Sequence, residues 1–221
     1  MKVPDKDTQT AATPESVLQM LREGNYRFTH NLRVNRNLLE QVMVSREGQF
    51  PLATIVNCID SRTPTELLFD QGIGKLFGVR IAGSVVSPEI LGSIEFATKV
   101  AGSKLVVLLG HTKCGAVKGA CDNVQMGNLT ELLRRIRPAV EAEQSETVDR
   151  TAKNADFVDK VSALHVRLSL AELIEKSPIL REMINAGDLG LIGGMYDVDT
   201  GAVDFYEDTF MRGEIKAVKT A

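Results

Sequence analysis

Two short stretches, Cys58-Ile59-Asp60-Ser61-Arg62 and Gly110-His111-Thr112-Lys113-Cys114, bring together residue types that hold and use a metal ion. Two thiolates and an imidazole form a zinc-type donor set, and three protein ligands leave a fourth position open, as catalytic zinc sites do. His111 and Cys114 stand three residues apart, so both can face one ion if a tight turn lies between them. Glycines at 110 and 115 are expected to relax the backbone there. Because two thiolates offset the charge of Zn²⁺, a water on such an ion needs further help to ionise. Asp60 can give that help by accepting the water's proton in a hydrogen bond. Arg62 can hold Asp60 in a bidentate pair and keep the carboxylate off the metal.

Each of these residues has a plainer reading. A cysteine at a buried strand end is often packing, and an Asp-Arg pair two residues apart can be a structural ion pair in a loop. The chemical reading gains from position, since both motifs follow directly on a predicted buried strand. Cys121 has no such setting and reads as packing. His30 and His165 fall on helical stretches and read as ordinary side chains, able to relay protons only if they approach the pocket.

The elements that must position the two motifs follow from periodicity and breakers. Residues 1–12 read as polar and irregular, and Thr13-Pro14-Glu15 then reads as a cap, an N1 proline and an acidic first turn opening a helix to about Phe28. Leu52–Asn57 is a short apolar run that predicts a strand buried on both faces, ending at Cys58. A helix from Pro64, a Gly-rich turn and a second strand at Leu76–Val79 complete a βαβ unit. Helix is predicted from Pro88 to about Val100, then a strand at Lys104–Leu109 that delivers Gly110-His111. Short and long helices are predicted at Cys114–Ala120 and Leu129–Val140, and residues 141–153 are an exposed helix or a loop. Helical patterns run from Val158 to Asn185 with a break at Pro178, and Leu189–Tyr196, a turn at 199–201 and Ala202–Tyr206 predict a closing hairpin. The expected class is α/β, a mostly parallel sheet with an added antiparallel edge strand and helices on both faces.

Composition narrows the possibilities further. With 221 residues, 43% hydrophobic and 25% charged, the chain has material for one sizeable core and is not disordered. A net charge of −3 without a long basic cluster argues against nucleic acid as a partner. Neither a signal-like apolar run nor an 18-residue apolar segment is present, so the expectation is a soluble cytoplasmic protein without a membrane partner, or a periplasmic one if a leader was removed. Three cysteines are too few, and odd in number, for a disulfide framework.

The segments CIDSR at 58–62, GKLFGVRIAG at 74–83, GSIEFA at 92–97 and GHTKCGAV at 110–117 resemble, in order, the characteristic blocks of the β-class carbonic anhydrases of bacteria. That resemblance implies one Zn²⁺ per chain on Cys58, His111 and Cys114, with an Asp60–Arg62 dyad controlling the open position. It also implies that Gln49 hydrogen-bonds substrate from a neighbouring subunit, that Phe77 forms an apolar wall near CO₂, and that Gly115 offers a backbone contact. The implied reaction is reversible hydration of CO₂ to bicarbonate and a proton, with a hydroxide on zinc as attacker. The implied fold is a sheet ordered 2-1-3-4 with an extra edge strand. The implied assembly is a homodimer or homotetramer, with residues 1–30 as an N-terminal dimerisation arm and 31–221 as a single zinc domain.

Some positions depart from the family pattern. Ile81 and Ser84 replace frequent asparagines, and Ile59 and Thr63 replace a frequent serine and valine. A second, inhibitory bicarbonate site known in some members uses a tryptophan, an arginine and a tyrosine. Arg80 and Tyr196 match two of these, but Ile55 stands where the tryptophan would be, so an open zinc position near neutral pH is expected. Two other readings share the same motifs: hydrolysis of a CO₂-like molecule such as CS₂ or COS, and a non-catalytic zinc scaffold or thiol sensor.

Overall fold

The computed structural model describes residues 3–215. Its frame is a five-stranded sheet of β1 (Ala53–Asn57), β2 (Leu76–Arg80), β3 (Leu105–His111), β4 (Gly190–Tyr196) and β5 (Val203–Met211). The spatial order is β2-β1-β3-β4-β5, with the first four strands parallel and β5 antiparallel on β4. The helices are α1 (Lys6–Ala11), α2 (Pro14–Thr29), α3 (Leu38–Ser45), α4 (Thr65–Leu68), α5 (Pro88–Glu95), α6 (Gly115–Cys121), α7 (Gly127–Arg134), α8 (Arg137–Ala142), α9 (Ala155–Lys176) and α10 (Pro178–Asn185). The expected α/β class, sheet order and antiparallel edge are all present.

Alternation along the strands explains why the central ones read as unbroken apolar runs. Ile55, Leu105, Val107 and Leu109 point to one face, where α2 lays Val17, Leu18 and Leu21. Val56, Val106 and Leu108 point to the other, against Ile90 and Ile94 of α5, Val166, Leu170 and Leu173 of α9 and Leu180 and Ile184 of α10. A third cluster wraps Cys58 and Cys114 in Val85, Val117, Leu133, Ile136, Phe157 and Val161. Helices therefore cover both faces, and the apolar side of α2 is buried within its own chain.

Several expectations need correction. Residues 6–11 are helical rather than irregular: the Asp5 side chain caps the helix, and the buried Gln9 donates to the carbonyls of Pro51 and Ala101. Polar composition hid an element whose anchor is a buried amide. Leu129–Val140 is two helices, because Pro138 lacks the N–H a continuous helix would need. Residues 143–154 form a loop gathered around Arg150, which donates to the carbonyls of Val140, Glu143 and Glu146 and lies over the Phe157 ring at 4.8 Å. β5 runs to Met211, five residues past the predicted end. Its Glu207 and Asp208 are tolerated because an edge strand keeps one face in solvent.

Candidate metal centre

β1 and β3 are adjacent and parallel, with Asn57 opposite Leu109, so Cys58 and Gly110-His111 emerge side by side at the carboxyl ends. From β1 the chain crosses to β2 on one side and then to β3 on the other. That reversal is where open parallel sheets form their binding crevices. The donor atoms of Cys58, His111 and Cys114 all lie within 4.8 Å of one another, and all three residues are buried. The His111 ring is oriented by Nδ1, which donates to the Thr112 carbonyl at 2.9 Å. Nε2 is then the bare nitrogen, buried and without a hydrogen-bond partner. A buried, unpartnered acceptor is costly unless something outside the chain satisfies it. A borderline-soft cation fits: the set is one imidazole and two sulfurs, and the second ring nitrogen is already engaged as in metal-bound histidines.

The thiols are tuned to match. Cys58 is pulled well below the usual thiol range, chiefly by a hydrogen bond from Cys114, with the His111 side chain and then the backbone N–H groups of Asp60 and Gly83 adding to it, while burial opposes. Cys114 is pushed up by the same contact and by burial, whereas the amides of Val117 and Ala116 at the start of α6 act the other way.

The loop after β1 is tied from three sides. Asn57 Nδ2 donates to the Thr63 carbonyl at 2.7 Å, and the Thr63 hydroxyl donates to the carbonyls of Cys58 and Asp60. Arg80, at the end of β2 and opposite Asn57, donates through Nε to the Cys58 carbonyl and through Nη2 to the Asp60 carbonyl. Within this web Arg62 grips Asp60 bidentately, Nε to Oδ1 at 2.9 Å and Nη2 to Oδ2 at 2.7 Å. Asp60 Oδ2 stands 3.9 Å from His111 Nε2. The Arg62 hydrogen bonds hold the Asp60 carboxyl well below the usual carboxylate range against a smaller opposing effect of burial.

The loop after β3 is tied to the β4–β5 turn. Thr112 accepts from Val198 N–H and donates to Asp197, and the Lys113 ammonium pairs with Asp199 at 2.6 Å. The turn between His111 and Cys114 is taken by Lys113 at φ +58°, not by a glycine. Gly110 is required instead for space, since a Cβ there would stand 2.8 Å from Val166 Cγ2, and Gly115 opens α6 into free space.

The structure therefore joins Cys58, His111, Cys114, Asp60 and Arg62, with Gly115 next in the chain. Phe77 pairs with Thr54, four residues before Cys58 and so roughly 13 Å down the strand, and lines an edge cleft with Phe96. Gln49 lies on exposed coil after α3. Sequence reasoning missed the positioning done by Asn57 and Thr63 within their own loop, and by Arg80, Thr112 and Asp197, whose partners are distant in the chain. The one available signal was an asparagine ending an apolar strand. His30 is exposed, stacked on Tyr26 at the end of α2, while His165 is buried and bonded to Gly83. Cys121 is partly buried in the third cluster, its thiol pushed up to about 11 mainly by burial. Among the described residues no helix is long and apolar enough to cross a membrane.

Comparison with known proteins agrees with the geometry. Residues 53–203 match the family model described as carbonic anhydrase. Carbonic anhydrase 2 of Mycobacterium tuberculosis is 34% identical over 194 residues, covering 85% of this chain and 90% of that one. A carbonic anhydrase of Mycolicibacterium smegmatis is 31% identical over 210 residues, covering 92% and 98%. Among solved structures, the β-carbonic anhydrase CafA of Aspergillus fumigatus superposes with a TM-score of 0.69 at 27% identity, covering 87% of this chain and 90% of that one. The chain belongs to the carbonic anhydrase family, in its β class, whose enzymes use zinc to hydrate CO₂.

Proposed function

We propose that Cys58, His111 and Cys114 are the zinc ligands of this carbonic anhydrase and that Asp60, held by Arg62, is its catalytic carboxylate. The observation that carries this reading is the bare, buried Nε2 of His111 facing two cysteine sulfurs at the β1–β3 crevice. When bound, zinc supplies the Lewis acidity that makes water nucleophilic near neutral pH. The protein's own part lies around that position. Asp60 Oδ2 stands beside the ligands as an acceptor for the O–H of the attacking water and so orients it toward CO₂. Since Arg62 occupies both carboxylate oxygens, Asp60 stays ionised and stays off the metal, which leaves the fourth position open. Val85, Ile136 and Phe157 exclude bulk water from behind the ligands.

Gln49 and Phe77, set apart within one chain, serve the site of a second copy in this reading. Support comes from α3, which exposes Leu38, Leu39, Val42, Met43 and Val44, more apolar surface than a lone helix leaves uncovered. With Cys58 and Cys114 assigned to zinc and Cys121 in no disulfide, cysteine usage supports a reducing, cytoplasmic setting.

The test is stopped-flow CO₂ hydration on purified protein, with zinc measured on the same sample. Activity with about one zinc per chain is expected, and Cys58→Ser and His111→Ala should each lose both metal and turnover. Full zinc content in either variant would refute the ligand assignment, and zinc without CO₂ hydration would redirect the reaction to CS₂ or COS.

A further inference from the structure

A short turn after β2 supplies a backbone hydrogen bond to a cysteine ligand from outside that ligand's own loop. Gly83, in the 3₁₀ turn Ala82–Ser84, donates its N–H to Cys58 Sγ at 3.3 Å. The turn is left-handed: Gly83 has φ +67°, which glycine adopts freely, and Ser84 has φ +54°, which a residue with a side chain rarely adopts. Space is also closed, since a Cβ on Gly83 would stand 2.6 Å from Ile136 Cδ1. A left-handed residue that carries a side chain, as Ser84 does, persists only where surrounding contacts hold it. Two such contacts are present. The Ser84 hydroxyl donates to the Leu109 carbonyl at 3.1 Å, which fixes the turn to the end of β3. From α9, His165 Nε2 meets the Gly83 carbonyl at 2.9 Å.

The His165 contact has a defined polarity. A carbonyl can only accept, so Nε2 carries the proton, and burial pushes the imidazole toward its neutral form. His165 is 5% exposed, and its neighbours on α9, Val161 and Val166, belong to the packed core. The ring is a fixed post, and Gly83 is held against it by the carbonyl while its amide points to sulfur.

We propose that His165 is a positioning residue for the metal: acting through Gly83, it holds the N–H···S bond that stabilises the Cys58 thiolate as a ligand. The inference rests on the assignment of Cys58 to zinc. A hydrogen bond to a thiolate favours the charged form that binds metal and draws electron density from sulfur. When the post is lost, Ser84 is free to relax from its strained conformation and Gly83 moves with it, the amide leaves Cys58, and the sulfur becomes both a less stable thiolate and a stronger electron donor.

Substituting His165 with Phe, Gln and Asn separates the hydrogen bond from the packing. Gln can place an amide N–H where Nε2 stands, Asn is too short to reach, and Phe fills the space without a donor. The measurements are zinc affinity, by competition with a chromophoric chelator, and the sulfur-to-metal charge-transfer band of the Co²⁺-substituted protein. His165→Phe should weaken zinc roughly tenfold, as loss of outer partners commonly does, and move the band to longer wavelength. His165→Gln should restore both, and His165→Asn should behave like Phe. Unchanged affinity and band in a folded His165→Phe would overturn the proposal, as would equal effects of Phe and Gln. If His165→Phe does not fold, Gln and Asn still decide, because identical values in those two variants exclude the hydrogen bond. Cys58→Ser serves as the separate control: a band that vanishes there but stays unmoved in the His165 series would sink this inference and keep the ligand assignment.

Discussion

Of the carboxylates that arginine holds in this chain, Asp60 and Asp70 serve opposite purposes. Asp60 is pinned in a crevice beside Cys58, His111 and Cys114, where in the proposed mechanism its oxygen accepts from the attacking water. Asp60→Asn keeps the volume but removes the charge Arg62 holds and one acceptor oxygen. Zinc content should be unchanged, and CO₂ hydration should fall by about a hundredfold or more; undiminished turnover would take Asp60 out of the mechanism. Asp70, by contrast, is structural. It is buried between Arg27 and Arg36, and although burial alone would raise its pKa, the hydrogen bonds from Arg36 and then Arg27 outweigh it and lower the carboxyl in the folded protein. A folded value below the unfolded one adds stability that is complete above the ordinary carboxylate value near about pH 4 and is lost as pH falls through the folded value. Asp70→Asn should therefore cost about 3 kcal/mol at pH 7, as breaking a buried pair does, and the gap from wild type should close in acid. Urea unfolding at several pH values measures this, and a gap that stays constant down to about pH 3 would contradict the role.

Between elements, close approach matters more than propensity. Gly24 on α2 lies against the loop after α4 so tightly that a Cβ would stand 1.8 Å from the Phe69 carbonyl oxygen. Asn25 beside it donates to the carbonyls of Leu68 and Gly201, which locks α2 to both neighbours. Gly24→Ala improves helix propensity by up to about 1 kcal/mol, yet it should destabilise by about 2–3 kcal/mol because backbone must move. The expected fall in melting temperature is roughly 5–10 °C, and a rise would show that propensity wins. The same contrast explains what was legible in the sequence. β1 and β3 announce themselves as unbroken apolar runs, and the chemistry follows each directly, so residue order alone is enough to pair CxDxR with HxxC. Helix α1, the left-handed Lys113 and the tie from His165 to Gly83 were not legible. Each depends on a partner 40 to 90 residues away in the chain or on a backbone angle that an ordinary residue type conceals.

At the scale of the molecule, one chain supplies all three donors of the proposed metal centre but leaves surface that asks for a second copy. Helix α3 buries Gln41 alone against its own chain, where Oε1 accepts from Ile73 N–H, while Leu39 is 77% and Met43 66% exposed. Those two residues stand one helical turn apart on one face. Gln49 follows α3 by four residues, so whatever covers the helix also meets Gln49. A two-fold contact across α3 would bury this face and carry Gln49 and its copy into the assembly together. Changing Leu39 and Met43 together to Glu places charge at the centre of that face without touching the zinc ligands. Sedimentation should show wild type at a multiple of the 24.1 kDa chain and the double variant at the single-chain mass. Zinc content should be retained, while CO₂ hydration falls because Gln49 no longer reaches a neighbour's site. A wild-type protein that sediments as a single chain with full activity would show that one chain is sufficient, and the exposed face of α3 would then have no part in catalysis.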